Sequence, residues 1–89
     1  MKYEWDPIKD RINREKHGVS FAEASTVFLD PHHVTVLDDR YSIDESRFRT
    51  IGYTSGDQLL VVAHTDRGES VRIITAREAT PRERRDYER

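Results

Sequence analysis

Apolar residues gather in short runs through the second half of the chain and form only thin stripes at helical spacing in the first. The densest stretch is Gln58–Arg77, QLLVVAHTDRGESVRIITAR. Two runs rich in branched apolar residues, Leu59–Thr65 and Val71–Thr75, flank a polar turn, Asp66-Arg67-Gly68-Glu69. Gly68 supplies the positive φ that a tight turn often needs, so the stretch predicts a hairpin at the centre of a small sheet. Arg47–Thr54 reads as a strand that Ser55-Gly56-Asp57 turns back into Gln58, and another strand is predicted at about His33–Leu37. Four strands joined as hairpins are most simply antiparallel. Between the first two, the acidic segment Asp38–Ser46 reads as an exposed loop.

The first half reads as helices. Tyr3-Glu4-Trp5 is either a short strand or an anchor. Asp6-Pro7 pairs an N-cap with proline at the first helical position, so a helix is predicted from Pro7 to about Lys16, with Ile8 and Ile12 as its apolar stripe and Gly18 as its stop. Ser20-Phe21-Ala22-Glu23 is a capping-box pattern opening a second helix, Phe21 to Phe28, which Asp30-Pro31 ends. Thr80-Pro81-Arg82-Glu83 repeats the pattern and opens a C-terminal helix through Tyr87 and Glu88. The predicted class is α+β, with two N-terminal helices, a four-stranded antiparallel sheet and a C-terminal helix, the helices covering one sheet face.

Composition narrows the function classes. The chain has 89 residues, 35% hydrophobic and 36% charged, which predicts one domain with a lean core. It has no cysteine, hence neither disulfides nor a thiolate metal site. The longest apolar run, Leu59–Ala63, is too short to span a membrane, and a cytoplasmic location is expected. The net charge of −2 conceals an asymmetry. Residues 1–46 carry 6 Lys/Arg against 10 Asp/Glu, residues 47–89 carry 9 against 7, and every basic residue of the second half is Arg. Overall charge argues against indiscriminate polyanion binding and leaves a local site open. Arg67, Arg72 and Arg77 sit on or beside the predicted central hairpin. They are either solvated and ion-paired, or they form a phosphate-binding surface, for which the guanidinium fork is suited.

Trp5-Asp6-Pro7, Lys16-His17-Gly18-Val19-Ser20-Phe21, Val27-Phe28-Leu29-Asp30-Pro31, Arg49-Thr50-Ile51-Gly52 and Arg72-Ile73-Ile74-Thr75-Ala76-Arg77 occur in an order and spacing that, with Glu83 and Tyr87, resemble the BrnT family. The likeness covers nearly the whole chain. Thr75 stands where the usual pattern has Ser, and both carry a hydroxyl. The resemblance implies a toxin of a type II toxin–antitoxin system with a RelE/ParE-like fold. It implies RNA cleavage that inhibits translation and growth, without a cofactor. The implied partner is a BrnA-type antitoxin with a ribbon-helix-helix domain, through which alone operator DNA is contacted.

Metal-independent RNA cleavage needs an aligned and deprotonated 2′-OH, a stabilised phosphorane and a proton for the leaving 5′-oxygen. Arg serves the second need and is a poor base. By likeness to RelE-type ribonucleases, Arg77 and Tyr87 are placed in the site, with Arg67 and Arg72 next and His17 as a further catalytic candidate. Lys16, Arg47, Arg49 and His64 are candidates for substrate binding. Each has a structural alternative: His17 can serve the helix C-terminus by its charge, Tyr87 can cover the core with its ring, and Lys16 can be solvated. Tyr3 and Trp5 can stack on bases or anchor the helix start. No metal site is expected, because His32 and His33 would point to opposite faces of a strand and no H-x₃-H spacing exists. Two other readings share the fold. One is a ParE-like toxin that blocks a topoisomerase without cleaving RNA, and the other an inactive partner that tunes its antitoxin's DNA binding.

Overall fold

The computed structural model describes residues 1–38 and 45–89. Strand β1 (Lys2–Glu4) leads into α1 (Pro7–His17) and α2 (Phe21–Ser25), which tightens into a 3₁₀ turn at Thr26–Leu29. Strands β2 (Val34–Leu37), β3 (Arg47–Tyr53), β4 (Leu59–Arg67) and β5 (Ser70–Glu78) follow, and α3 (Pro81–Glu88) ends the chain. The expected antiparallel run of β2, β3, β4 and β5 is present, but the sheet has five strands, in the order β1-β5-β4-β3-β2. The four-stranded, all-antiparallel expectation is corrected by β1, which lies parallel to β5 with Tyr3 opposite Val71. Three residues are too few to display alternation in the sequence. They are held by aromatic contacts, Tyr3 stacking on Phe28 at 5.3 Å and Trp5 meeting Phe21 edge-on at 6.2 Å. Most of the expected loop Asp38–Ser46 lies outside the described residues.

Local chemistry sets the helix ends. The Asp6 carboxylate accepts from the Ile8 amide at 2.8 Å, and Gly18, at φ 70°, closes α1 in the left-handed conformation. At the second helix the Ser20 hydroxyl accepts from the Glu23 amide. The core lies between these helices and one sheet face. Val19, Phe21, Ala24 and Val27 pack on Leu60, Val62, Ile73 and Ala76. At Gly52 the 3₁₀ backbone presses on β3 so closely that a Cβ would meet the Val27 carbonyl oxygen at 3.1 Å.

A bulge in β5 decides which residues face which way. His64 pairs with Ile73 and Ala63 with Thr75, so Ile74 is left over. Beyond it the alternation resets. Ala76 joins Val71 and Ile73 toward the helices, and Arg77 joins Arg72 on the opposite, open face. The same bookkeeping of faces puts His64 on the helix side, buried between Phe28 and Phe48, with Nε2 2.8 Å from the Thr50 hydroxyl.

Two expectations about the helices are overturned. Ile8 and Ile12 do not face the core and are 62% and 54% exposed. The buried residue of α1 is Asn13. Its amide donates to the Val19 and Ala76 carbonyls at 3.0 and 2.8 Å and accepts from the Ala76 amide at 3.1 Å. A side chain thus completes the edge of β5 where β1 has ended.

The helices also do not all cover one face. Glu83, Asp86 and Tyr87 of α3 line one depression with Val34, Val36, Ile51 and Val61 on the open side. No residue of α3 is buried, so polar contacts hold it. Glu83 takes two hydrogen bonds from Arg77, at 2.8 and 3.0 Å, Tyr87 donates to Asp30, and Tyr53 donates to Glu88. The Arg77 guanidinium, with the amide and hydroxyl of Thr80, holds the Glu83 carboxyl down at about 2. Burial raises the Asp30 carboxyl, but the Tyr53 amide, the Tyr87 hydroxyl and the His32 amide outweigh it and leave its pKa below the ordinary value.

Two outcomes follow. Asn13→Ala strands the amide and carbonyl of Ala76 and the carbonyl of Val19, so it should destabilise the protein by about 3 kcal/mol in urea unfolding, from a cost of about 1–3 kcal/mol per buried unpaired group. A loss under about 1 kcal/mol would mean that water replaces the side chain. For α3 the sign follows from the depressed carboxyls. Their contribution is complete above the unfolded value near 4.3 (Glu) and lost as pH falls toward about 2. The near-ultraviolet tyrosine signal should therefore change over that window, with the Glu83→Gln variant lacking most of the transition. A wild-type signal flat down to about pH 2 would contradict it.

Candidate nucleic-acid interface

The open face is ordered in cross-strand rows. Arg47, Thr65 and Arg72 form one row, Arg49, Ala63 and Thr75 the next, and Ile51, Val61 and Arg77 a third. Side chains in such rows stand on the same side of the sheet. A depression of about 400 Å³ lies among them, with Arg47, Arg49 and Arg77 around a floor of Val61, Ala63 and Thr75 and Asp38 in its wall. The sheet therefore brings Arg47, Arg49 and Arg77 together, from two strands that are not neighbours.

Each flank opens into a further depression. Toward α3, one of about 250 Å³ shares Arg49 and Val61 and is lined by Glu83 and Tyr87. Toward α1, one of about 220 Å³ shares Thr75 and is lined by Lys9, Lys16 and His17. The expected residues Tyr87, Arg49, Arg77, Lys16 and His17 thus border one continuous surface.

Carboxylates temper the charge. Asp38, buried, lies 3.5 Å from Arg49 Nε, a charge contact without hydrogen-bond alignment. Arg77 is held by Glu83. That contact occupies the start of α3, where Arg77 and the free amides of a helix N-terminus would otherwise suit an external anion. The anion there is the chain's own. Glu83 accepts from the Thr80 amide at 2.8 Å, and its own amide is taken by the Thr80 hydroxyl. Arg67 and Arg72 sit at the other end of the sheet. Arg67 grips Glu45 through Nε and a terminal nitrogen at 3.1 and 3.3 Å, and both arginines reach Glu4, at 3.8 and 3.7 Å. Arg72 stands across Thr65 from Arg47, and Arg67 is further off, at the strand end.

Two candidates are oriented elsewhere. His64 is 2% exposed on the helix side, away from the arginines. Burial lowers its pKa, and Asp66, 3.3 Å from Nδ1 but not aligned as a hydrogen bond, opposes that shift. Tyr87 turns its hydroxyl to Asp30, and burial together with that carboxylate pushes the phenol well above its usual value. It lines the surface with its ring. Tyr3 and Trp5 serve as anchors on Phe28 and Phe21.

The residues that sequence reasoning missed are mostly the partners. Glu83 was visible as a capping-box residue, but its hold on Arg77 depends on where α3 folds back. Asp38 was read as part of a loop and is buried against Arg49. Lys9 had no signal apart from its spacing from Lys16.

Comparison with known proteins bears on the same surface. A crystal structure of the Brucella abortus ribonuclease toxin BrnT superposes with a TM-score of 0.69, covering 90% of this chain and 97% of that one at 24% identity, which establishes a shared fold. Comparison with curated proteins gives no match. The family model for the ribonuclease toxin BrnT of type II toxin–antitoxin systems matches residues 5–83, a span that holds the arginine depression and the α1 depression with their partners Asp38 and Glu83. The chain belongs to the BrnT family of type II ribonuclease toxins.

Proposed function

We propose that this protein is a metal-independent endoribonuclease toxin of the RelE/ParE-like kind, acting on cytoplasmic RNA to inhibit translation and growth. The observation that carries the reading is the convergence of Arg47, Arg49 and Arg77 on one depression in the open sheet face. Three guanidinium groups around one small depression suit a phosphodiester, and they suit the phosphorane better, because its charge is larger.

In the reaction the 2′-oxygen bonds to phosphorus, the bond to the 5′-oxygen breaks, the 2′-OH proton passes to a base, and a proton is delivered to the leaving oxygen. The products are a 2′,3′-cyclic phosphate and a 5′-hydroxyl. Arg49 and Arg77 stabilise the phosphorane, and Arg47 helps hold the strand. His17, bordering the adjoining depression, is the proton-transfer group. Lys16 lies beside it for the substrate backbone. Tyr87 acts as a positioning residue, since its bond to Asp30 fixes α3 and with it the Glu83 grip on Arg77. Arg72 and Arg67, at the far rim, meet flanking phosphates. A BrnA-type ribbon-helix-helix antitoxin covers the open face, and it alone supplies contacts to operator DNA.

Cleavage of single-stranded RNA should persist in excess EDTA and yield cyclic phosphate ends; activity that vanishes on chelation and returns with Mg²⁺ would exclude the mechanism. Arg49→Ala and Arg77→Ala should each lose roughly 10²-fold in rate, with Arg77→Lys recovering part, as expected for one charge-stabilising group. The thermal midpoint, followed in parallel, separates a chemical from a structural loss. Unchanged rates in both alanine variants would remove the arginines from the chemistry. Growth arrest by a protein that cleaves no RNA would point to a blocked protein target instead.

A further inference from the structure

We infer that the depression between α1 and β5 is a nucleotide subsite, which takes the base and backbone of single-stranded RNA next to the cleaved linkage. The inference rests on the ribonuclease reading and adds Lys9, Ile12 and Ile74 to it.

Lys9, Ile12, Asn13 and Lys16 stand at i, i+3, i+4 and i+7, so they form one stripe of α1. In a surface helix this spacing marks the face that enters the core. Here the stripe carries a cation at each end, and Asn13 alone is buried, clamped to Ala76. Ile12 is left 54% exposed. Ile74, the extra residue of the β5 bulge, comes up opposite and lines the same depression. An apolar floor between two ammonium groups is of little use to the fold, since a core stripe would bury Ile12 and a solvated stripe would not need it.

The two lysines also differ from the arginines. Arg49, Arg67, Arg72 and Arg77 each lie against a carboxylate. Neither Lys9 nor Lys16 has an ion pair among the described residues. Seven residues of helix separate them by about 10 Å along the axis. A flat base on Ile12 and Ile74, with a phosphate near each lysine, fills that span. Thr75 lines both this depression and the arginine one, so a strand seated here runs on into the arginines without a gap.

The test is equilibrium binding of a fluorescent 2′-O-methyl RNA decamer, which offers no 2′-OH to attack, over a series of salt concentrations. The double variant Lys9→Ala with Lys16→Ala should bind more weakly and flatten the log–log salt dependence by about 1.4, two single-strand phosphate contacts at about 0.7 each. Ile12→Asn should weaken binding roughly fivefold with the slope unchanged, the size expected for losing about 40 Å² of apolar contact with the base. All three side chains lie on the helix surface, so thermal midpoints should stay near wild type and report on folding. An unchanged slope in the double variant, with wild-type RNA cleavage intact, overturns the subsite and leaves the ribonuclease reading standing. A wild-type protein that neither binds the decamer nor cleaves RNA overturns both. Unchanged RNA binding with weakened binding of the cognate antitoxin overturns the subsite and assigns the stripe to an acidic protein.

Discussion

One extra residue in β5 decides what the open face can be. Strict alternation from Arg72 would send Arg77 to the same side as Val71 and Ile73, into the core, where an unpaired guanidinium is costly. The bulge at Ile74 resets the phase, so Ala76 enters the core and Arg77 emerges beside Arg49 and Arg47. A bulge weakens the local ladder, and something must hold the strand where β1 no longer pairs with it. Asn13 does this by returning both hydrogen bonds of Ala76. The same clamp fixes α1 against β5 and thereby sets Lys9 and Lys16 beside Thr75. The arginine depression and the lysine depression are thus two consequences of one irregularity.

What could be read in the sequence was what local rules govern. The caps at Asp6, Ser20 and Thr80 and the stop at Gly18 depend on neighbours within a few residues, and they place three helices close to their true bounds. The hairpins β3–β4 and β4–β5 follow from runs of branched apolar residues and the turn residues between them. The misses are tertiary. Ile8 and Ile12 looked like a core stripe because spacing cannot tell that a buried amide at Asn13 outweighs two isoleucines. The short strand β1 has too few residues to show a period. The side taken by α3 depends on polar latches, Arg77 to Glu83 over the turn that leads into the helix and Tyr87 to Asp30 between residues far apart in sequence. Of the candidate site, the arginines and the α1 terminus were visible as residue types. His64 was expected at the substrate, and the structure buries it instead, because it shares its phase within β4 with Leu60 and Val62, which line the core.

The fold separates its charges by what surrounds them. On the helix side a hydrogen-bond chain runs inward from the exposed Thr35 through the buried Thr50 to His64, and each hydroxyl has a partner within 2.8 Å. On the open side arginines stand over apolar floors, and most touch a carboxylate from a different element. Glu83 comes from α3, Asp38 from the end of β2 and Glu4 from β1. The pairs made by Glu83 and Glu4 are partly exposed, so each contributes modestly to stability. Their larger effect is on where charge can be accepted, since an anion entering the depression competes with carboxylates already there.

Within the ribonuclease reading, that competition favours the transition state. A phosphodiester carries one negative charge and displaces Glu83 or Asp38 with little net gain, because one carboxylate contact is exchanged for one phosphate contact. The phosphorane carries more charge on the same oxygens, and its attraction to the guanidinium groups rises while the cost of displacing the carboxylates stays fixed. Interactions that grow only along the reaction are those that raise the rate. An arginine cluster without internal anions would bind ground-state RNA tightly and gain less from the added charge. The lysines on α1, which have no ion pair among the described residues, take the complementary part, because they hold the strand through phosphates whose charge does not change. Binding and charge stabilisation are then divided between the two depressions, and Thr75 stands at the boundary between them.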